Sequence, residues 1–202
     1  MNRLIRFTLA LCAALSLAAL AVPSARAEGG EPAPVAIGTT VEDFKLPDAA
    51  GREQSLSALR GKHATALIFV STRCPVSNMY NERMQKLAED YRAQGVRVVG
   101  INSNKEETAE EIAAHSKEKG LTFTILKDAG AKIADRLGAG RTPEVFLLDA
   151  AGKLVYHGAV DNAQNPVMVN THHLRNAIDS VISGKPVEKA EVKAFGCTIK
   201  RG

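Results

Sequence analysis

The chain has 202 residues, 45% of them hydrophobic and 24% charged, with three Cys and no Trp. That suits a single domain with a sizeable, mainly aliphatic core and excludes a low-complexity or fibrous chain. The formal net charge of +4 comes largely from the N-terminus. Removing residues 1–27 takes three of the 26 basic residues (Arg3, Arg6, Arg26) and none of the 22 acidic ones, which leaves about +1. A nucleic-acid partner is therefore not indicated.

Residues 1–27 have the layout of a secretory signal peptide. Arg3 and Arg6 precede an almost purely apolar run, Phe7 to Val22, and Ala25-Arg26-Ala27 offers small residues at a cleavage site. The run is shorter than the roughly 20 residues a spanning helix needs. Leu11 is bulky where a lipoprotein signal at Cys12 wants a small residue. The expectation is export to the periplasm or medium, with no stable membrane insertion after cleavage. Cys12 then leaves, and Cys74 and Cys197 remain as one pair in an oxidising compartment, structural or chemical.

Glu28 to Pro34 reads as a Gly/Pro/Glu-rich flexible leader, residues 35–184 as one domain, and residues 185–202 as an irregular tail carrying Cys197. Val41 to Leu46 is an expected strand, with a hairpin return through Gln54 to Leu56. Ala64 to Val70 is a continuous apolar run, expected as a strand buried on both faces. Pro75 to Gln94 has helical spacing, with Met79, Arg83, Leu87 and Tyr91 stepping by four, and Gly95 ends it. Val96 to Ile101 is the next strand, Lys105 to Lys119 a charged helix, Phe123 to Leu126 a short strand and Ala131 to Leu137 a short helix. Glu144 to Leu148 and Leu154 to His157 read as a hairpin, and Thr171 to Ser183 as a last helix capped by Thr171. The order βαβαββα implies a three-layer α/β/α sandwich with an N-terminal hairpin extension and a C-terminal tail.

The chemistry concentrates where the strand ALIFV runs into Ser71-Thr72-Arg73-Cys74-Pro75. Proline is favoured in a first helical turn, so Cys74 falls at a helix N-terminus, where free N–H groups and the helix dipole favour a thiolate. Arg73, and Arg83 if it folds back, would add positive charge. The alternative is a small Cys buried by chance. Phe195-Gly196-Cys197-Thr198 places a second thiol in a polar tail. It is read as a resolving thiol for Cys74, with a structural or unpaired Cys as the alternatives. Thr171-His172-His173 is read as a cap plus surface, since adjacent helical His residues point about 100° apart.

The segments VSTRCPVSN and RTPEVFLLDAAGKLVYHG resemble the thioredoxin-like superfamily, in the redoxin (AhpC/TSA, peroxiredoxin-like) branch, over residues 35–160. The stretch THHLRNAID…GKPV…GCTIK is similar to the C-terminal part of a bacterial peroxiredoxin-like subfamily. The resemblance implies a thioredoxin-like fold and a cis Thr142–Pro143 bond lying against the nucleophilic sulfur. It also implies oxidoreductase chemistry with a peroxide or disulfide substrate and an external thiol reductant. No cofactor and no metal are called for. The implied site is Cys74, Cys197, Ser71, Ser77, Pro143, Thr142 and Arg73. The chain departs from both patterns. Where thioredoxins carry WCxxC, Arg73 replaces the Trp and Ser77 the second Cys, so Ser77 is expected to donate its hydroxyl to the Cys74 thiolate. Where peroxiredoxins carry Thr three residues before the Cys, Ser71 stands. Their proline seven before is Leu67, and the position of their activating Arg is Pro143, which leaves Arg73 or Arg141 for that role. A copper-binding or assembly protein using Cys74, Cys197 and a His is the competing reading, and a catalytically dead binding module a third.

Overall fold

The computed structural model describes residues 33–201. The signal peptide and most of the leader read from the sequence lie outside the described residues.

Strand β1 (Lys45–Pro47) pairs antiparallel with β2 (Glu53–Ser55), and α1 (Leu56–Leu59) follows at once, capped by Ser55. The hairpin is thus shorter and later than the expected Val41–Leu46. Its turn is built on Asp48, whose carboxylate accepts from the N–H groups of Ala50 and Arg52. The main sheet comes next: β3 (Ala64–Phe69), then, after the two helical pieces α2 (Pro75–Asn78) and α3 (Asn81–Arg92), β4 (Val96–Asn102). Helix α4 (Ala109–Lys119) leads to β5 (Thr124–Lys127), and α5 (Lys132–Leu137) to the short β6 (Arg141–Thr142) and to β7 (Glu144–Asp149). Strand β8 (Leu154–Gly158), α6 (His173–Ile182) and β9 (Cys197–Thr198) complete the order.

The five-stranded sheet runs β5-β4-β3-β7-β8, with β3, β4 and β5 parallel and β7 antiparallel to both β3 and β8. Strand β3 is buried over its whole length, as its unbroken apolar run requires. Its alternate residues feed two cores. Ala64, Ala66 and Ile68 pack with Met84, Leu87, Ile112, Leu174 and Ile178 from α3, α4 and α6. Leu67 and Phe69 pack on the other face with Val41, Phe44, Leu56, Ile133, Leu137 and Ile199. The three-layer α/β/α arrangement expected from the element order is present.

Four local expectations need correction. The helix read as Pro75–Gln94 is pinched at Met79–Tyr80, where Tyr80 N–H bonds back to Ser77 O three residues earlier. Tyr80 is buried there, its hydroxyl on Asp161 and Ala163 O, with the Arg83 guanidinium stacked 3.6 Å from its ring centroid. Helix α4 starts at Ala109 rather than Lys105, because Thr108 and Glu111 form a capping box. The cap of α6 is His172, not Thr171, whose hydroxyl bonds Asn170 instead.

The fourth correction concerns the tail. It is not irregular throughout. Strand β9 pairs antiparallel with β6, Thr142 opposite Cys197 and Arg141 opposite Thr198. Ile199 is buried, its N–H on Gly140 O, and the Lys200 N–H is held by Asn104 Oδ1. Arg201 bonds Asp135 and Ala139 O.

Candidate active site

Strand β3 delivers the chain to Ser71 at the C-terminal edge of the sheet, and the next three residues turn into α2. Cys74 is the residue before Pro75 and caps this first turn. The Ser77 N–H points at its sulfur from 3.3 Å, and Asn78 N–H bonds its carbonyl. A backbone donor aimed at Sγ favours a thiolate in the reduced state. The Thr142–Pro143 peptide, cis, crosses beside it, with the Thr142 carbonyl oxygen 3.4 Å from Cys74 Sγ.

Cys197 approaches from the far end of the chain. Its strand β9 lies on β6, directly before the cis-proline. The two sulfurs are joined as a disulfide across 123 residues, with Cα atoms 5.9 Å apart. Gly196 permits the approach: a Cβ there would overlap the Thr142 carbonyl oxygen. The Arg141 guanidinium lies 3.4 Å from Gly196 O, beside the pair.

The other sequence-read residues lie near Cys74, and in the disulfide-bonded state their side-chain polar groups meet other partners. The Ser77 hydroxyl accepts from Ser71 N–H, 3.1 Å away, and it is the Ser77 backbone that meets Sγ. The Ser71 hydroxyl accepts from Cys74 N–H and donates to Glu107. Arg73 turns outward to Glu111 and Glu106. Arg83 is carried off by its ion pair with Asp161. Thr142 is buried, and its hydroxyl has no partner among the described residues.

Beneath the loop lies Glu107, which the sequence reading missed. It is 3% exposed. Its carboxylate accepts from Ser71 Oγ, from Thr72 N–H and Oγ1, and from Asn102 Nδ2. Burial pushes its pKa up, but these donors outweigh burial and hold it below the usual range. Glu107 thereby fixes the turn whose hydroxyl holds the Cys74 backbone. The signal that could have found it is the capping box Thr108-Ala109-Glu110-Glu111. It starts α4 with Thr108 as the N-cap, one residue after Glu107, and so leaves Glu107 in the turn before the helix.

Among the described residues no three His, Cys, Asp or Glu side chains converge as a metal site would require, and the two sulfurs are bonded to each other. Nor is any helix among them long and apolar enough to cross a membrane.

A thiol at the start of the helix after the first central strand, opposite a cis-proline and bridged to a second Cys, defines a thioredoxin-like redox protein of the redoxin type. The AhpC/TSA family model matches residues 37–157, and the chain belongs to that family. It is an oxidoreductase. It is 33% identical over 120 residues to "Thiol-disulfide oxidoreductase ResA" of Geobacillus thermodenitrificans, covering 59% of this chain and 67% of that one. To "Peroxiredoxin Q, chloroplastic" of Sedum lineare it is 31% identical over 134 residues, 62% of this chain and 70% of the relative. A crystal structure of a hypothetical protein from Sinorhizobium meliloti 1021 superposes with a TM-score of 0.78 at 40% identity, over 84% of this chain and 97% of that one.

Proposed function

We propose that the chain is an exported thiol-disulfide oxidoreductase in which Cys74 is the nucleophile and Cys197 the resolving thiol. The observation that carries this reading is the Cys74–Cys197 disulfide between the start of α2 and the strand laid on β6. In the reduced form the Cys74 thiolate attacks a substrate disulfide. A Cys74–substrate disulfide forms and the first substrate thiolate leaves and is protonated. The Cys197 thiolate then attacks the Cys74 sulfur, forming the intramolecular disulfide and releasing the second substrate thiol. The substrate gains two electrons and two protons, and an external thiol returns the protein to the dithiol. Thr142 and Pro143 flank the sulfur, and Ser71 and Ser77 set the backbone donors around it.

Peroxide as the electrophile has less support. It would need donors for the peroxide oxygens; the Ser71 hydroxyl and the Arg73 guanidinium are committed to Glu107 and Glu111, and the Arg141 guanidinium beside the pair faces Gly196 O. Export rests on the layout of residues 1–27.

The test uses reduced protein comprising residues 28–202, mixed with a small disulfide substrate and, separately, with hydrogen peroxide. Disulfide should oxidise the protein faster than peroxide does. Cys74→Ser should abolish turnover, and Cys197→Ser should accumulate a mixed disulfide on Cys74, seen by peptide mass mapping. Turnover that survives Cys74→Ser would defeat the assignment.

A further inference from the structure

Glu144 stands one residue past the Thr142–Pro143 bend and is 5% exposed. Its side chain folds back across that bend. Oε2 accepts from the Gly140 N–H and the Arg141 N–H, both at 2.8 Å, and Oε1 meets His157 Nε2 at 2.6 Å. A carboxylate only accepts, so Nε2 carries the hydrogen of that bond. Arg141 and Lys193 border the same cavity, but among the described residues the side chain that pairs with Glu144 is His157, not a Lys or Arg. A buried carboxylate without donors is costly. Here the two backbone N–H groups and the imidazole supply them.

What this carboxylate holds is the strand that presents the disulfide. The Gly140 carbonyl accepts from the Ile199 N–H, Arg141 lies opposite Thr198, and Thr142 lies opposite Cys197. The Thr142 carbonyl oxygen is the one 3.4 Å from Cys74 Sγ. His157 is also where the tail joins the main sheet. Its N–H bonds Ala190 O, and its carbonyl accepts from the Val192 N–H, upstream of Cys197. Its ring is braced by Phe146, with centroids 4.5 Å apart. Glu144 and His157 therefore tie β6, which lies beside Cys74, to the tail that carries Cys197, although neither side chain hydrogen-bonds a sulfur.

We infer that Glu144 and His157 are a positioning pair for the redox cycle: they hold the Thr142–Cys197 register and so set how readily Cys197 closes the disulfide on Cys74. The inference rests on the proposed Cys74–Cys197 cycle. In its closing step the Cys197 thiolate attacks the Cys74 sulfur of the mixed disulfide and expels the substrate thiolate, which is protonated. That step is intramolecular, so its equilibrium scales with the effective concentration of one sulfur at the other. Without the carboxylate, the Gly140 and Arg141 N–H groups lose their acceptor, and the segment before Thr142 shifts to find another. Strand β9 moves with it, and Cys197 spends less time within reach of Cys74.

The test is the reduction potential of the Cys74–Cys197 disulfide, measured in glutathione buffers by trapping and mass mapping of the two cysteines. Circular dichroism establishes that each variant is folded. Glu144→Ala should lose about tenfold in the ring-closing equilibrium, the order expected for a hydrogen bond to a charged group, which raises the potential by about 30 mV. His157→Phe keeps a ring against Phe146 and the backbone bonds to Ala190 and Val192 but removes the donor, so it should shift the potential the same way. Glu144→Gln is the rescue. Its Oε1 takes both backbone N–H groups while its amide donates to His157 in the other tautomer, so the equilibrium should stay within about threefold of wild type. Ile178→Val, in the α6 core, controls for stability alone: it should weaken folding in urea and leave the potential at the wild-type value. Wild-type potentials in both Glu144→Ala and His157→Phe overturn the pair, as does a shift in Ile178→Val as large as theirs or a Glu144→Gln shifted as far as Glu144→Ala. If Glu144→Ala does not fold, His157→Phe decides, and a wild-type potential there overturns the pair. A wild type that forms the disulfide while the variants keep its potential counts against the pair alone. A wild type that forms no Cys74–Cys197 disulfide defeats the exchange cycle itself.

Discussion

Ser71 and Glu107 show how the site is held from below rather than from the side. The sulfur of Cys74 receives one backbone donor, while its own N–H is fixed by Ser71 Oγ, which is fixed in turn by a buried carboxylate. Glu107→Gln keeps the shape but removes the charge that four donors converge on. It should cost on the order of 2 kcal/mol of stability at neutral pH. The pH dependence has a definite sign. The Glu107 pKa in the folded protein lies below its ordinary value of 4.5, so its contribution is present above about pH 4.5 and lost as pH falls through the folded value. The stability difference between wild type and Glu107→Gln should therefore be full at pH 7 and shrink below about pH 4.5. Urea titrations at pH 7, 5, 4 and 3 would measure it, and a difference that stays constant down to pH 3 would remove Glu107 from this role. Cys74 could be picked out from sequence because Cys-Pro after an apolar strand is a local signal. The directions of the Ser71 and Arg73 side chains could not, because Glu107 and Glu111 decide them from 36 and 38 residues away in the chain.

At the scale of elements, what was legible follows periodicity and what was not follows tertiary pairing. The strands Ala64–Phe69 and Val96–Asn102 sit close to where their unbroken apolar runs place them, because burial on both faces leaves no other solution. Helix α4 was shortened by its capping box, and α2/α3 were divided by the anchoring of Tyr80, which no helical period encodes. The tail was the largest miss. Its Lys-rich, polar composition reads as loose, yet Ile199 packs in the core and five backbone or side-chain bonds hold residues 199–201. Cys197 is thus presented by a strand, not by a free arm, and Gly196 is the residue that lets the strand lie flat. Gly196→Ala would drive a Cβ into the Thr142 carbonyl and lift β9 from β6. The expected result is a disulfide easier to reduce, with its potential raised by about 30 mV for each tenfold loss in the ring-closing equilibrium. Equilibration in glutathione or dithiothreitol buffers, read by mass mapping of the two cysteines, would check it. An unchanged potential would mean that the β6–β9 pairing does not position Cys197.

For the whole molecule, the disulfide couples the middle of the chain to its end, and that coupling distinguishes a working bond from a structural one. The sheet and nearly all of both cores come from Val41 to α6, and among the described residues the fully buried apolar side chains of the tail are Ala194 and Ile199. The reduced protein should therefore stay folded. A cross-link spanning 123 residues nevertheless restricts the unfolded chain heavily. For a loop of that order the chain-entropy model gives roughly 4–5 kcal/mol, commonly realised only in part. Reduction should lower the unfolding free energy by about 2–5 kcal/mol, and Cys197→Ser should match the reduced wild type. By linkage, the same free energy is what folding contributes to disulfide formation. A loss of about 4 kcal/mol corresponds to nearly a thousandfold bias toward ring closure in the native state. Urea denaturation of oxidised and reduced protein, with far-ultraviolet circular dichroism to establish that both are folded in water, supplies both numbers. If the reduced chain is unfolded in water, the bond is a structural staple and Cys197 cannot cycle. If the reduced chain is folded and weaker by the expected amount, the protein can open and close the bond without losing the architecture that presents it.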